Sequence, residues 1–338
     1  MSDNGSAPLT PFGGDAPEFG KIKELRPGVF WAQLPLPFWP NQVAVWLLRD
    51  GDGWTIVDAG YNNDEHRAIW RALLGQIGTA KRIILTHGHA DHATLAGWLA
   101  KETGAPIVMT RIEWLSAEVL RTGPVTEYFL QNSRKFGCSE EIVASIRQER
   151  PKFKALYQGF PQQFEPISDG DYLSIDGEVW EVIAGGGHSF EMAGLFRRSD
   201  HTFIAADHLL TEIAPVVSES MHESGTNPLA RQFQMLDRLT QLPAETFVLP
   251  SHGQPFVGVH ARVASTRQTY LGRAALFSEL VTTQMTAFEV AMKKSNRGEV
   301  ARYYFRVSDA FTMLTWLAQN GTVSKTEQGG TTVFRPLR

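Results

Sequence analysis

The stretch "ILTHGHADHATLAG", Ile84 to Gly97, places three histidines and an aspartate within the six residues His87 to His92. It decides the reading of the fold because it joins the apolar run "RIILTH" to the small-residue helix start of "ATLAGWLAKETG". A short apolar run of this kind predicts a strand buried on both faces. Gly104 predicts the end of the helix, and "PIVM" a further strand, so the segment reads as a βαβ unit. The loop itself has the form H-x-H-x-D-H. Neutral imidazoles and carboxylates suit Zn(II), and also Fe, Mn or Ni. Residues 87 and 89 alternate and can point the same way from a strand end. Asp91 and His92 can then turn toward a second point about 3.5 Å away, a typical two-metal separation. The bland alternative is a solvated, histidine-rich surface loop.

Working outward, "GVFWAQLPL", "QVAVWLLRD" and "WTIVDAG" are β-branched and aromatic runs separated by turn signals. The "DGDG" at Asp50 to Gly53 predicts a hairpin, and Ile69, Leu73 and Leu74 predict a helix near Asn63 to Gly75. Residues 111–166 read as mostly helical. Strands resume with "DYLSIDGEVWEVIAGGGHS", "MAGLFRRSDHTFIAADHLL" and, after a helix, "TFVLPSHG". Beyond His252 the pattern is helical and ends in a hairpin turned at Gly329–Gly330. Inner sheets with outer helices are the implied α/β architecture. The expected organisation is a flexible lead-in over residues 1–18, a catalytic domain over 19–260 with a helical insert at 111–166, and a helical appendage resembling a winged helix over 261–338.

Composition narrows the classes. The chain has 338 residues, 43% of them hydrophobic, and no window of eighteen uninterrupted apolar residues, so no membrane span is expected. The first twenty residues lack a basic region followed by an apolar one and do not read as a signal peptide; a cytoplasmic location is the expectation. Cys138 is the single cysteine, which excludes an intrachain disulfide and a cysteine-based zinc site. The net charge of -4 divides unevenly: residues 261–338 carry 11 Lys/Arg against 5 Asp/Glu, or +6, leaving -10 for the remainder.

Three further candidates stand where apolar runs give way to loops: His188 in "GGGHS", Asp207 in "AADHLL" and His252 in "LPSHG". Asp58 in "IVDAG" has the same context. A buried acid needs a partner, and the outer nitrogen of a ligand histidine would provide one. With these residues in order, the sequence resembles the metallo-β-lactamase-fold hydrolase superfamily over nearly its whole length. Asp58 matches the family's first motif, His87, His89, Asp91 and His92 the second, and His188, Asp207 and His252 the third to fifth. The resemblance implies a four-layer αββα sandwich and two metal ions, expected as Zn(II) with Fe or Mn as alternatives. It implies that His87, His89 and His188 hold one metal, that Asp91, His92 and His252 hold the other, and that Asp207 bridges them. A bridging aspartate is similar to the glyoxalase II and lactonase branches. Asp91 would also be catalytic, carrying a proton to the leaving group. The implied reaction is hydrolysis of a carboxylic ester, thioester or lactone by a hydroxide shared between the metals.

Other residues carry less. Phe38 and Trp39, in "PLPFWPNQ", lie where a hairpin loop of this fold overhangs the site; an apolar substrate pocket and a packing corner are equal readings. The insert supplies Trp114, Leu115, Tyr128, Phe129, Tyr157 and Phe160, placed to cap a pocket, although packing among its own helices is the stronger reading for any one of them. His208 is expected to be structural or to support a ligand, and His66, His201, His222 and His260 to be surface or structural. Phe190 stands where many relatives have proline. The expected partner is a small-molecule acyl substrate, with no membrane, and the resemblance allows a homodimer. The competing function is a nucleic-acid phosphodiesterase built on the same two-metal core. The basic C-terminal region favours it, and the -10 balance of residues 1–260 opposes it.

Overall fold

Alternation along the strands dictates the layers. In Gln42–Asp50, Ala44, Trp46 and Leu48 belong to one buried cluster, and Val43, Val45 and Leu47 to another. Side chains of successive strand residues point to opposite faces, so a strand apolar at every position is covered on both sides. The computed structural model describes residues 9–219, 226–294 and 300–337; His222 and the first eight residues of the lead-in lie outside them.

Two seven-stranded sheets carry this pattern. The first runs in chain order from Lys23–Arg26 through Val29–Pro35, Gln42–Asp50, Gly53–Val57, Ala80–Ile84 and Ile107–Thr110 to Glu165–Ile167. Its first half is antiparallel; its second half, from Gly53–Val57 onward, is parallel. The hairpin at Asp50 to Gly53 forms as expected, with Asp50 opposite Gly53. The second sheet has the order Thr10–Pro11, Phe256–Val257, Phe247–Pro250, Thr202–Ala206, Met192–Arg197, Glu178–Gly185, Tyr172–Ile175. Between the sheets lie Trp31, Trp46, Val57, Ile84, Trp180, Val182, Leu195, Ile204 and Leu249. The outer faces take helices, among them Asp64–Ile77, which buries Trp70 and Leu73, and Pro228–Leu239, which buries Leu229, Met235 and Leu236. This is the α/β sandwich expected from the sequence.

Three details depart from expectation. The lead-in is not free throughout: Thr10–Pro11 pairs with Phe256–Val257, and Phe12 packs its ring 6.1 Å from that of Phe247. Its Gly and Pro content hides a strand too short to show any period. Within residues 111–166 the helices are Arg111–Thr122, Val125–Lys135 and Glu140–Leu156, followed by a helical turn at Tyr157–Gly159. The chain then re-enters the first sheet as Glu165–Ile167, parallel to Ile107–Thr110. Residue 260 falls inside a helix, Val259–Leu280, that starts directly after Gly258. Beyond it come Ala287–Lys294, Val300–Gln319 and a hairpin of Val323–Gln328 with Thr331–Pro336, turned at Gly329–Gly330 as expected. Among the described residues, no helix is long and apolar enough to cross a membrane.

Trp31 and Trp46 stack with ring centroids 6.2 Å apart at the centre of the layer between the sheets. Trp46→Ala should lower unfolding stability by about 3–5 kcal/mol through lost burial and a residual cavity. Denaturant titration followed by circular dichroism measures it, and a loss below about 1 kcal/mol would contradict this account of the core.

Candidate metal centre

One edge of the sandwich collects the ends of strands from both sheets. Asp58 follows Gly53–Val57 and adopts a positive φ of 65°. Thr86 and His87 follow Ala80–Ile84, and a single helical turn, Ala90–Ala93, carries Asp91 and His92. From the second sheet, His188 follows Glu178–Gly185, Asp207 follows Thr202–Ala206, and His252 follows Phe247–Pro250. Two backbone hydrogen bonds tie the sheets together here, Ala193 N–H to Thr86 O at 2.9 Å and Ala44 N–H to Ser251 O at 2.7 Å. The structure therefore brings all seven expected ligands to one place.

The seven fall into two overlapping sets. His87 Nε2 lies 3.0 Å from His89 Nδ1, which lies 2.9 Å from His188 Nε2. His252 Nε2 lies 3.4 Å from Asp91 Oδ2, and His92 Nε2 lies 3.7 Å from the same oxygen. Asp207 reaches both: Oδ2 is 3.2 Å from His188 Nε2 and 3.7 Å from His252 Nε2, and Oδ1 is 3.8 Å from His92 Nε2. His92 Nε2 and Asp207 Oδ1 are buried without a hydrogen-bond partner. Buried polar atoms rarely go unsatisfied, and three ring nitrogens about 3 Å apart cannot satisfy one another with the few protons they share. Divalent cations answer both problems, so the donor set fits the metal pair that the sequence implied.

The outer nitrogens explain why the inner ones are available. His188 Nδ1 faces the Val216 carbonyl at 2.6 Å and His252 Nδ1 the Gln42 carbonyl at 2.7 Å. A carbonyl only accepts, so both Nδ1 atoms must carry hydrogen. His92 Nδ1 donates to Asp58 Oδ2 at 2.8 Å. Thr86 N–H and its hydroxyl donate to Asp58 at 2.8–3.0 Å, so the hydroxyl can only accept from His87 Nδ1 at 3.0 Å. In four of the five rings Nε2 is therefore the atom turned inward. Such oriented partners fix tautomer and direction in metal sites. Asp58 is thereby placed against the outer nitrogen of His92 and against Thr86. Thr86 stands in the same way against His87, and no motif in the sequence singles it out.

The other expected residues are placed as follows. His66, read as surface or structural, is buried: it accepts from Tyr61 N–H at 2.9 Å, and its Nε2 donates to Pro35 O. His208 is buried with Nε2 on Met192 O at 2.9 Å, a structural role. His201 pairs with Glu245, and His260 bonds Leu242 O. Phe38 and Trp39 are 44% and 68% exposed, and Phe38 meets Tyr61 edge-on at 5.6 Å. In the insert, Phe129, Tyr157 and Phe160 are buried in the core rather than open to a pocket, Trp114 stacks on Phe164, and Leu115 is exposed.

The chain belongs to the metallo-beta-lactamase superfamily. The profile of that family, described as "Metallo-beta-lactamase superfamily", matches residues 38–252. Superfamily relatives extend over almost the whole chain. A Bacillus subtilis (strain 168) protein named "Probable metallo-hydrolase YqjP" is 23% identical over 334 residues, covering 90% of this chain and 97% of its own. The crystal structure of a beta-lactamase domain protein from Burkholderia ambifaria superposes with a TM-score of 0.87 at 27% identity, covering 97% of this chain and 98% of that one. The metallo-beta-lactamase family protein TTHA1429 from Thermus thermophilus superposes with a TM-score of 0.80 at 23% identity, covering 93% of this chain and 100% of that one, and shows the shared fold.

Charge distinguishes the two sets within the superfamily fold. Burial drives the His87 ring well below the ordinary imidazole value, reinforced by His92 and His89. Burial and His188 lower His89 to about 3. For His92, burial lowers the value, but Asp91, Asp58 and Asp207 outweigh it and raise the ring to about 10. His252 is raised in the same way, Asp207 and Asp91 overcoming burial. The carboxylates around His92 thus favour its protonated form, whereas burial favours the neutral form of His87 and His89. A cation entering the Asp91, His92 and His252 set must displace that proton. Its affinity should rise across the neutral range by roughly tenfold per pH unit for each proton displaced, while the other cation's affinity changes less. Zinc titrations with proton release measured between about pH 6 and about pH 8 should show the two slopes; identical slopes would contradict the assignment.

Proposed function

We propose that the protein is a hydrolase that uses two metal ions, Zn(II) with Fe or Mn as acceptable substitutes, to cleave a small-molecule carboxylic ester, thioester or lactone. The observation that carries the reading is the Asp207 carboxylate, which spans both ligand sets from 6% side-chain exposure. Cations held by these residues would supply a lowered pKa for water, from about 15.7 toward roughly 7, and polarisation of a substrate carbonyl.

The chain's own residues then divide the work. Burial raises the Asp91 carboxyl, but His92 and His252 more than offset it and hold the group ionised, so it can accept a proton from the nucleophile and return it to the departing alkoxide or thiolate. Phe38 meets the Tyr61 ring edge-on at 5.6 Å, and burial, with a lesser contribution from the Asp91 charge, raises the Tyr61 phenol. The apolar part of an acyl substrate would lie along Phe38 and Trp39, whose rings are open to solvent. The -10 balance of residues 1–260 supports an acyl rather than a nucleic-acid substrate, because a phosphate backbone wants cations beside the metals.

Purified protein presented with p-nitrophenyl esters, acyl-CoA thioesters, acyl-homoserine lactones and single-stranded RNA should turn over at least one acyl substrate; cleavage of RNA alone would overturn the proposal. Asp91→Asn should lower kcat about a hundredfold or more, with metal content measured in parallel, and an unchanged kcat would refute the proton-carrying role.

A further inference from the structure

Gly88 separates His87 from His89, and both of its peptide groups are held by the helical insert. Its N–H donates to Glu113 Oε2 at 2.9 Å, and its carbonyl accepts from the Tyr157 hydroxyl at 3.0 Å. Glu113 lies in the first turn of Arg111–Thr122 and Tyr157 in the turn after Glu140–Leu156, so the two come from opposite ends of the insert. Both side chains are fully buried. The second oxygen of Glu113 reaches across to the other sheet: Oε1 accepts from Ser189 Oγ at 2.6 Å and from Glu191 N–H at 2.7 Å. Ser189 follows His188 directly. A single carboxylate therefore clamps the His87–His89 loop to the His188 loop.

We infer that Glu113 is the positioning residue of the His87, His89 and His188 set, fixing the spacing of these three ring nitrogens so that a cation can be held between them. Three donors converge on its two oxygens, and a buried carboxylate satisfied this fully is rigid. The fit is close: a β-carbon on Gly88 would sit 3.2 Å from the Glu113 carbonyl oxygen and 3.3 Å from Ala117 Cβ. The insert is thereby a fixed wall of the metal centre. Gly97 shows the same closeness, since a β-carbon there would overlap the Gly159 carbonyl. An amide cannot replace the carboxylate. Whichever oxygen becomes NH2, it confronts a backbone N–H, either that of Gly88 or that of Glu191.

The inference rests on the two-metal reading proposed above, and its test needs no substrate. Cation affinities are measured by zinc competition in the wild type and in Glu113→Gln, with cobalt(II) absorption reporting ligand geometry. Glu113→Gln should weaken one of the two cations by about 10- to 100-fold, alter the cobalt spectrum, and leave the other cation and the far-ultraviolet circular dichroism unchanged. Ser189→Ala removes one donor of the three without disturbing the fold and should weaken the same cation by a smaller factor. Glu118→Gln, whose partner Arg121 lies on its own helix, should change neither affinity. Unchanged affinities in Glu113→Gln would overturn the inference. If that variant does not fold, unchanged affinities in Ser189→Ala would overturn it equally. Wild type that binds only one cation would instead refute the two-metal reading.

Discussion

Four histidine Nδ1–H groups are committed to acceptors built into the scaffold: the Asp58 carboxylate, the Thr86 hydroxyl, and the Val216 and Gln42 carbonyls. Everything at the site depends on this constraint. With Nδ1 occupied outward, Nε2 of His87, His92, His188 and His252 is left facing inward, toward Asp91 and Asp207. Folding thereby concentrates ring nitrogens and carboxylate oxygens in one space, where a cation takes the place of the proton that the carboxylates favour on His92. His252, beyond a strand of the second sheet, bonds the Gln42 carbonyl of the first, so that ring is aimed only when the two sheets are packed together.

The sandwich is in turn a product of alternation. Strands such as Gln42–Asp50 bury one row, with Trp46, between the sheets and the other, with Val45 and Leu47, under the helices. Burial on both sides fixes register, because a slip of one residue would exchange the rows. Register then sets where each strand ends, and the ligands all stand one to three residues beyond a strand end or in the turn that follows. Asp58 completes the link. It follows the strand beside Ala80–Ile84, and its neighbours Ala59 and Gly60 both donate to the His92 carbonyl, at 2.8 and 3.0 Å.

The legible part of this design is the part written compactly. The H-x-H-x-D-H loop can be read because four ligands fall within six residues. His188, Asp207 and His252 can be read because each interrupts an apolar run at its end. Glu113 cannot. An acid in the first turn of an amphipathic helix is the usual partner of the helix N-terminus, and nothing local marks this one as buried beneath a loop 25 residues earlier in the chain. Tyr157 stands out in the sequence for its aromatic bulk, whereas its hydroxyl proves to be the group in use. Thr10–Pro11 and Glu165–Ile167 are illegible because strands of two or three residues are too short to show a period of two, and each contains a proline. His66 illustrates a different limit: its two ring bonds, to Tyr61 and Pro35, arise from a turn whose closure no motif predicts.

The central claim is that seven side chains gathered from four strand ends form one centre for two cations with Asp207 between them. The most direct measurement is a crystal structure of the metal-loaded protein with anomalous scattering recorded at the metal edge. The account predicts two peaks about 3.5–4 Å apart, one among His87 Nε2, His89 Nδ1 and His188 Nε2, the other among Asp91, His92 Nε2 and His252 Nε2. A single peak, or a pair that leaves Asp207 outside the coordination of either metal, would contradict it.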